Sequence, residues 1–272
     1  MRIPTLLLAC ATLALASAAA QAQSNPRSIK RLNDSDDPLL ALTGPIVRVS
    51  GDAPPGSAPP SRDMRDFEGV WWISRYEYLL GPEPGVAPPL KDEYQKILER
   101  RIRAKNRGTP EADASTDCRP HGMPRLMESP YPIRIVQTTG QVTLLHEVAH
   151  NIRRIYVGGK HPANLKPSYL GHSVGHWEGD TLVVETVGLN DKTFIDDEGS
   201  SHSARERVTE RIRKVKNGNE LEDVITVSDP VTLKAPYSFK RYYKWRPDIK
   251  PAEYICEENN RNAPEGGVTV AK

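Results

Sequence analysis

From Val142 to Trp245 the sequence is a run of short segments that alternate apolar and polar residues, divided by glycine and asparagine turns. That pattern constrains the fold more than any other feature, because a period of two fits a half-buried strand and not a helix. The spacing predicts strands at Val142–Val148, Ile152–Val157, Leu170–Trp177, Thr181–Val187, Arg207–Val215, Leu221–Val227 and Tyr237–Trp245. Lys216-Asn217-Gly218-Asn219 carries the Asn-Gly pair of a hairpin turn. An earlier aromatic and β-branched stretch, Asp66 to Leu80, and another beginning at Ile133 add two more strands. A convincing helical period occurs at Pro88 to Gly108. Prolines precede it, acids sit early, bases sit late and Gly108 follows as a cap, with Leu90, Tyr94, Ile97, Arg101 and Ile102 on one stripe. The expected fold is mainly β: an antiparallel barrel or strongly curved sheet with one N-terminal amphipathic helix. A barrel is preferred because closure removes edge strands and leaves an internal pocket.

The densest polar run lies inside this pattern, at Leu170 to Ser203. If Gly179 and Asp180 make its turn, His172 faces Val187, His176 faces Val183 and Trp177 faces Leu182. One side of the ribbon then carries His172, Val174, His176, Val183, Glu185 and Val187. The other carries Ser173, Gly175, Trp177, Leu182, Val184 and Thr186 and reads as a packed wall. The loop beyond it holds Asp191, Asp196, Asp197 and His202. Near the start of the first strand, Gly69-x-Trp71 resembles an arrangement in lipocalin-like barrels, where the tryptophan closes the barrel bottom; an ordinary core tryptophan gives the same pattern.

The two ends set the organisation. Residues 1–22 read as a secretory signal peptide: Arg2, a short Leu/Ala run and the Ala20-Gln21-Ala22 cleavage pattern. Cys10 falls within the apolar run rather than at a lipoprotein site. Residues 23–65, with GDAPPGSAPPSRD, read as a mostly disordered Pro-rich leader. Residues 66–262 are the β-barrel domain and 263–272 a flexible tail. No later stretch is apolar enough to span a bilayer, so the expected location is periplasmic or secreted. Cys118 and Cys256 then pair most simply as a disulfide. Net charge is +2 with both signs interspersed, which offers no basic field for nucleic acid.

His146-Glu147-Val148-Ala149-His150 matches HExxH, a zinc-hydrolase signature when it lies on a helix. Its neighbours Val142 to Leu144 and Ile152 to Val157 favour strands. In a strand, residues four apart sit about 13 Å apart, too far to share one ion. A hairpin turning near His150-Asn151 fits the segment better, and zinc hydrolysis stays a minor alternative.

Strand ends converge at barrel mouths, where ligand sites form. His161, His172, His202, Asp191 and one of Arg153 and Arg154 can therefore meet there; taken singly, each histidine also fits a surface or hydrogen-bonded structural role. The expected function is a cofactor-independent enzyme acting on a small organic molecule by general acid–base catalysis, of lyase, isomerase or hydrolase type. His172 would be the acid or base and Asp191 would orient an imidazole. Arg153 would stabilise developing negative charge, with His161 and His202 assisting. Trp177, Arg154 and Tyr169 would bind substrate. The alternative is a lipocalin-like carrier of an apolar or aromatic molecule, walled by Trp71, Trp72, Trp177 and tyrosines.

RRIYVGGKHP, SYLGHSVGHWEGDTLVVETVGLNDKTFID, HS with VTERIR, and EYICEENN together resemble a large family of exported bacterial β-rich proteins to which no activity is assigned. The likeness runs from about Cys118 to Asn260. It implies a β-rich periplasmic domain with a lipocalin-like barrel, supplies no reaction, and brings no zinc motif at residues 146–150.

Overall fold

A computed structural model describes residues 47–256. The signal peptide, the first half of the leader and the C-terminal tail lie outside that range.

Nine strands close into a barrel. In chain order the strands are β1 (Val47–Arg48), β2 (Gly69–Ile73), β3 (Arg75–Tyr76), β4 (Ile133–Thr138), β5 (Gln141–His146) and β6 (Ile152–Val157). Then come β7 (His172–Glu178), β8 (Thr181–Val187), β9 (Arg207–Val215), β10 (Glu220–Ser228) and β11 (Tyr237–Trp245). The barrel runs β2-β4-β5-β6-β7-β8-β9-β10-β11 and closes back on β2, while β1 and β3 pair as a separate ribbon. Strands that alternate in direction cannot close a ring of odd number, so one junction must be parallel. It is β6–β7, with Ile155 beside Ser173 and Val157 beside Gly175. A parallel pair needs a long return connection, and residues 158–171 provide it.

The expected hairpin register holds: His172 pairs Val187, His176 pairs Val183 and Trp177 pairs Leu182. Ser173, Gly175, Leu182, Val184 and Thr186 are buried, whereas His172 and Val174 are half-exposed and His176 exposed. The β9–β10 turn differs from a simple two-residue hairpin. Lys216, Asn217 and Gly218 all have positive φ, at 50°, 58° and 88°, in a short 3-10 turn. The helix, α1 (Asp92–Asn106), is shorter than its flanking prolines and glycine suggested. It buries Leu98 and Ile102, four residues apart, with Tyr94 partly packed on the same stripe.

The β5–β6, β7–β8 and β9–β10 connections differ in which end they occupy. The tight turns at Gly140, Gly179 and Gly218 share one end with residues 158–159, and the long loops share the other. Trp71, 1% exposed, sits toward the tight-turn end, donates its indole N–H to the Phe67 carbonyl at 2.8 Å, and meets Trp245 edge to face at 5.1 Å. Gly69 (φ 134°) is required there, because a Cβ would lie 2.0 Å from the Trp245 ring.

Within residues 47–65, expected to be mostly disordered, the stretch 58–63 runs along the same end. Lys214 Nζ donates to the carbonyls of Ser61 and Asp63 at 2.9 and 3.0 Å, and Trp245 Nε1 to that of Ala58 at 2.8 Å. Proline removes donors from this segment, so barrel side chains reach its free carbonyls. Cys118 and Cys256 are joined as a disulfide. No helix among the described residues is long and apolar enough to cross a membrane.

Candidate functional site

The barrel interior is occupied by protein. Trp71, Ile155 and Leu182 fill it toward the tight-turn end, and Leu144, Val184 and Ile225 are buried nearer its middle. Met123, Leu126 and Met127, from the turn around Arg125–Glu128, are buried at 0 to 3% exposure with the rest of the core. Between these layers lies a polar belt. Arg153 Nη1 donates to Glu210 Oε1 at 2.8 Å, and Nη2 donates to Glu210 Oε2 and to Thr186 Oγ1. Arg241 Nε donates to Glu128. Burial pushes the Glu128 carboxyl up to about 8, although Arg241 opposes the shift. Burial also raises Asp223, and the carboxylate of Glu210 adds to it. Walls built by Trp71 and Trp177 therefore face packed residues: Trp177 meets Phe67 at 5.3 Å.

The residues singled out from the sequence separate into three places. His161 and His172 do meet, Nδ1 to Nδ1 at 2.9 Å, on the outer face of the barrel. His161 Nε2 lies 3.2 Å from Glu185 Oε1, Arg207 holds the other Glu185 oxygen, and Tyr156 stacks on His172 at 5.0 Å. Burial, and then His161, lower the His172 pKa. Arg153 points inward into the belt and Arg154 outward, as adjacent strand residues must. His202 is buried elsewhere. Its Nε2 pairs with Thr193 Oγ1 at 2.9 Å and its Nδ1 lies 2.8 Å from Glu206; burial lowers its pKa but Glu206 outweighs burial, so the net shift is upward. Asp191 is exposed, and Tyr169 is half-buried in the β6–β7 connection.

The HEVAH segment is a hairpin connection, not a helix. His146 ends β5, Val148–His150 make one 3-10 turn, and β6 begins at Ile152. His150 Nε2 accepts from the Tyr254 N–H at 3.3 Å and Glu147 accepts from the Ala252 N–H at 2.7 Å. His146 points inward, 4% exposed, with neither ring nitrogen hydrogen-bonded. Burial, and then Arg153, push it down to about 3.

A concave site lies at the long-loop end. It is a cavity of about 360 Å³ lined by Tyr76, Tyr78, Ser115, Arg119, His121, Arg125, Ser129, Pro130, Tyr131, Val148, Ala149, Asp197, Tyr254 and Cys256. Its floor is a charged lattice. Arg125 Nε and the Tyr76 hydroxyl donate to the two oxygens of Asp197. Asp113 accepts from the Ser115 N–H and hydroxyl, each at 2.6 Å, and lies 3.4 Å from Arg125 Nη2. Burial, and then Glu198, push the Asp197 carboxyl up to about 7; the Arg125 and Tyr76 contacts work against that shift because both favour the carboxylate. Burial, and then the Arg125 guanidinium, bring His121 down to about 4. Two tyrosine pairs, Tyr76–Tyr78 at 4.9 Å and Tyr131–Tyr254 at 5.4 Å, stand edge to face in the wall.

Of these residues the sequence pattern points to Asp197 and to Cys256, the partner of Cys118. His121 and Arg125 lay in a Pro-rich segment with no strand or helix period. The signal available is chemical: a histidine and two arginines, interspersed with Gly122, Pro120 and Pro124, beside a paired cysteine.

No protein-family model and no curated protein matches the chain. Among solved structures it is similar to a luciferase domain from the dinoflagellate Lingulodinium polyedrum, at 12% identity and a TM-score of 0.32, over 74% of this chain. The match covers 49% of that protein's chain, about half its length.

Proposed function

We propose that the protein is an exported, cofactor-independent enzyme that acts on a small organic molecule by general acid–base catalysis in the pocket of His121, Arg125, Asp197 and Tyr76. The observation that carries this reading is the convergence of these four residues on one cavity of about 360 Å³, within the size range of small-molecule sites. Convergent polar groups with shifted pKa values in a cleft are what catalytic proton transfer requires.

His121 serves as the base. Its ring is neutral at physiological pH, so a lone pair is available. Arg125, fixed by Asp197 and Asp113, supplies positive charge where an oxyanion would develop. Tyr76, fixed by Asp197, supplies a hydroxyl at the same wall. These roles suit proton abstraction beside a carbonyl, or activation of water for hydrolysis or addition. Export is supported by the disulfide, which fits an oxidising compartment, and by the resemblance to exported β-rich bacterial proteins.

The filled interior bears on the carrier alternative: a bound molecule would occupy this pocket, not the barrel centre. The test is a turnover screen without added cofactor over small esters, lactones and hydroxy or enol acids, repeated with His121→Gln. The expected result is that one class is turned over and that the variant loses about 10²- to 10⁴-fold in rate with its fold retained. Undiminished turnover in the variant would overturn the assignment. Unchanged ligand binding with no turnover of any class by either protein would favour the carrier.

A further inference from the structure

Two donors in the pocket wall are buried without an acceptor. The Arg125 side chain is 7% exposed, and its Nη1 makes no hydrogen bond although Asp113 Oδ2 lies 3.4 Å away. Ser129 is 4% exposed and its hydroxyl has no partner. Both residues line the same cavity. Arg125 opens one short 3-10 turn, Arg125–Glu128, and Ser129 caps it, so a single short element presents both groups. A buried N–H or O–H left unpaired is costly, and the arrangement persists most readily where something supplies acceptors.

The donors define that something. Guanidinium can only donate, so its partner is an acceptor, and a negatively charged oxygen is the strongest one. A carboxylate has two oxygens and can give one to Arg125 and the other to Ser129. Asp197 does not repel it with a bare oxygen, since Arg125 and Tyr76 occupy both. Arg119, largely exposed at the rim, adds positive charge. The remaining wall is aromatic, and the two edge-to-face tyrosine pairs offer ring faces and edges to a flat unsaturated body. A cavity of about 360 Å³ admits one ring and a short substituent.

We infer that the substrate is a small planar aromatic carboxylate, its carboxylate held by Arg125 Nη1 and Ser129 Oγ and its ring packed among Tyr76, Tyr78, Tyr131 and Tyr254. The word substrate rests on the acid–base reading of this pocket; the recognition itself does not. The carboxylate would also lie close to His121, opposing the charge of Arg125 and making the imidazole a better base once the site is filled.

Calorimetric titration of the full-length mature protein at neutral pH tests this. The probes are benzoate, benzamide as its uncharged match, and acetate as the anion without a ring. Benzoate is expected to bind at least about tenfold more tightly than either control, the range of one hydrogen bond to a charged group. Ser129→Ala should weaken benzoate by a similar factor and leave benzamide unaffected. Arg125→Lys, which keeps the charge and loses the fork, serves as a second variant. Equal affinity for benzoate and benzamide, no benzoate binding, or benzoate affinity unchanged in natively folded Ser129→Ala and Arg125→Lys overturns the inference. His121→Gln separates the two proposals: it should retain benzoate binding whatever it does to turnover. A normal rate in that variant sinks the acid–base reading alone, whereas lost turnover with equal affinity for benzoate and benzamide sinks the recognition alone.

Discussion

A half-buried imidazole beside a guanidinium gains a proton with difficulty. At His121 the two effects bring the pKa to about 4, so on the proposed function its own limb in kcat/KM should be a fall as pH drops through about 4. His121→Asn should abolish that limb together with most of the rate. The same shift carries a stability consequence. The folded pKa lies below that of the unfolded chain, 6.5, so the folded state binds fewer protons. The contribution is therefore complete above about 6.5 and is lost as pH falls toward about 4. His146 behaves alike, with its window reaching about 3. It also keeps two ring nitrogens buried without partners. Replacing it with Leu removes both liabilities, and the variant is expected to be more stable by about 1–3 kcal/mol. The gain should be larger at pH 5 than at pH 8, read from denaturant unfolding. A loss of stability at both pH values would show that His146 is paired through a bound water.

At the scale of strands, the Arg153–Glu210 pair ties β6 to β9 across the interior. Removing one partner strands a buried charge, so Glu210→Ala should cost about 3–5 kcal/mol, while Arg153→Met with Glu210→Leu should cost much less. Measured unfolding free energies of the singles and the double decide this. Strands such as these were legible in the sequence. The limits of β6, β8, β9 and β11 fall where alternation predicted them, because one face of each is buried and slipping by one residue would expose it. The register of His172 with Val187 followed from Gly179 in the same way. The pocket left no such trace. Tyr76 ends the two-residue strand β3, and His121 with Arg125, Asp197 and Tyr254 come from three irregular segments, whose spacing in sequence carries no period and whose meeting depends on barrel closure. The sequence points instead to histidines near clear strand ends. His161 and His172 do meet there, but on the outer face, whereas Arg153 and His202 spend their hydrogen bonds on buried structural partners.

At the scale of the molecule, the disulfide closes a span of 138 residues and should contribute about 5 kcal/mol on the chain-entropy account. Cys118→Ser with Cys256→Ser is expected to lower the thermal midpoint accordingly, with the barrel's β circular dichroism retained below it. The bond also has a local role. Cys256 and Tyr254 belong to one wall of the cavity, Ser115, Arg119 and His121 to another, and the bond joins those walls. Ligand affinity in the double variant should therefore fall at temperatures where the barrel is still folded. The cavity is thus finished by an oxidation that follows synthesis. A chain still in reducing surroundings holds His121, Arg125 and Asp197 but lacks the covalent tie across their site. The proposed site would then reach its full strength only in oxidising surroundings.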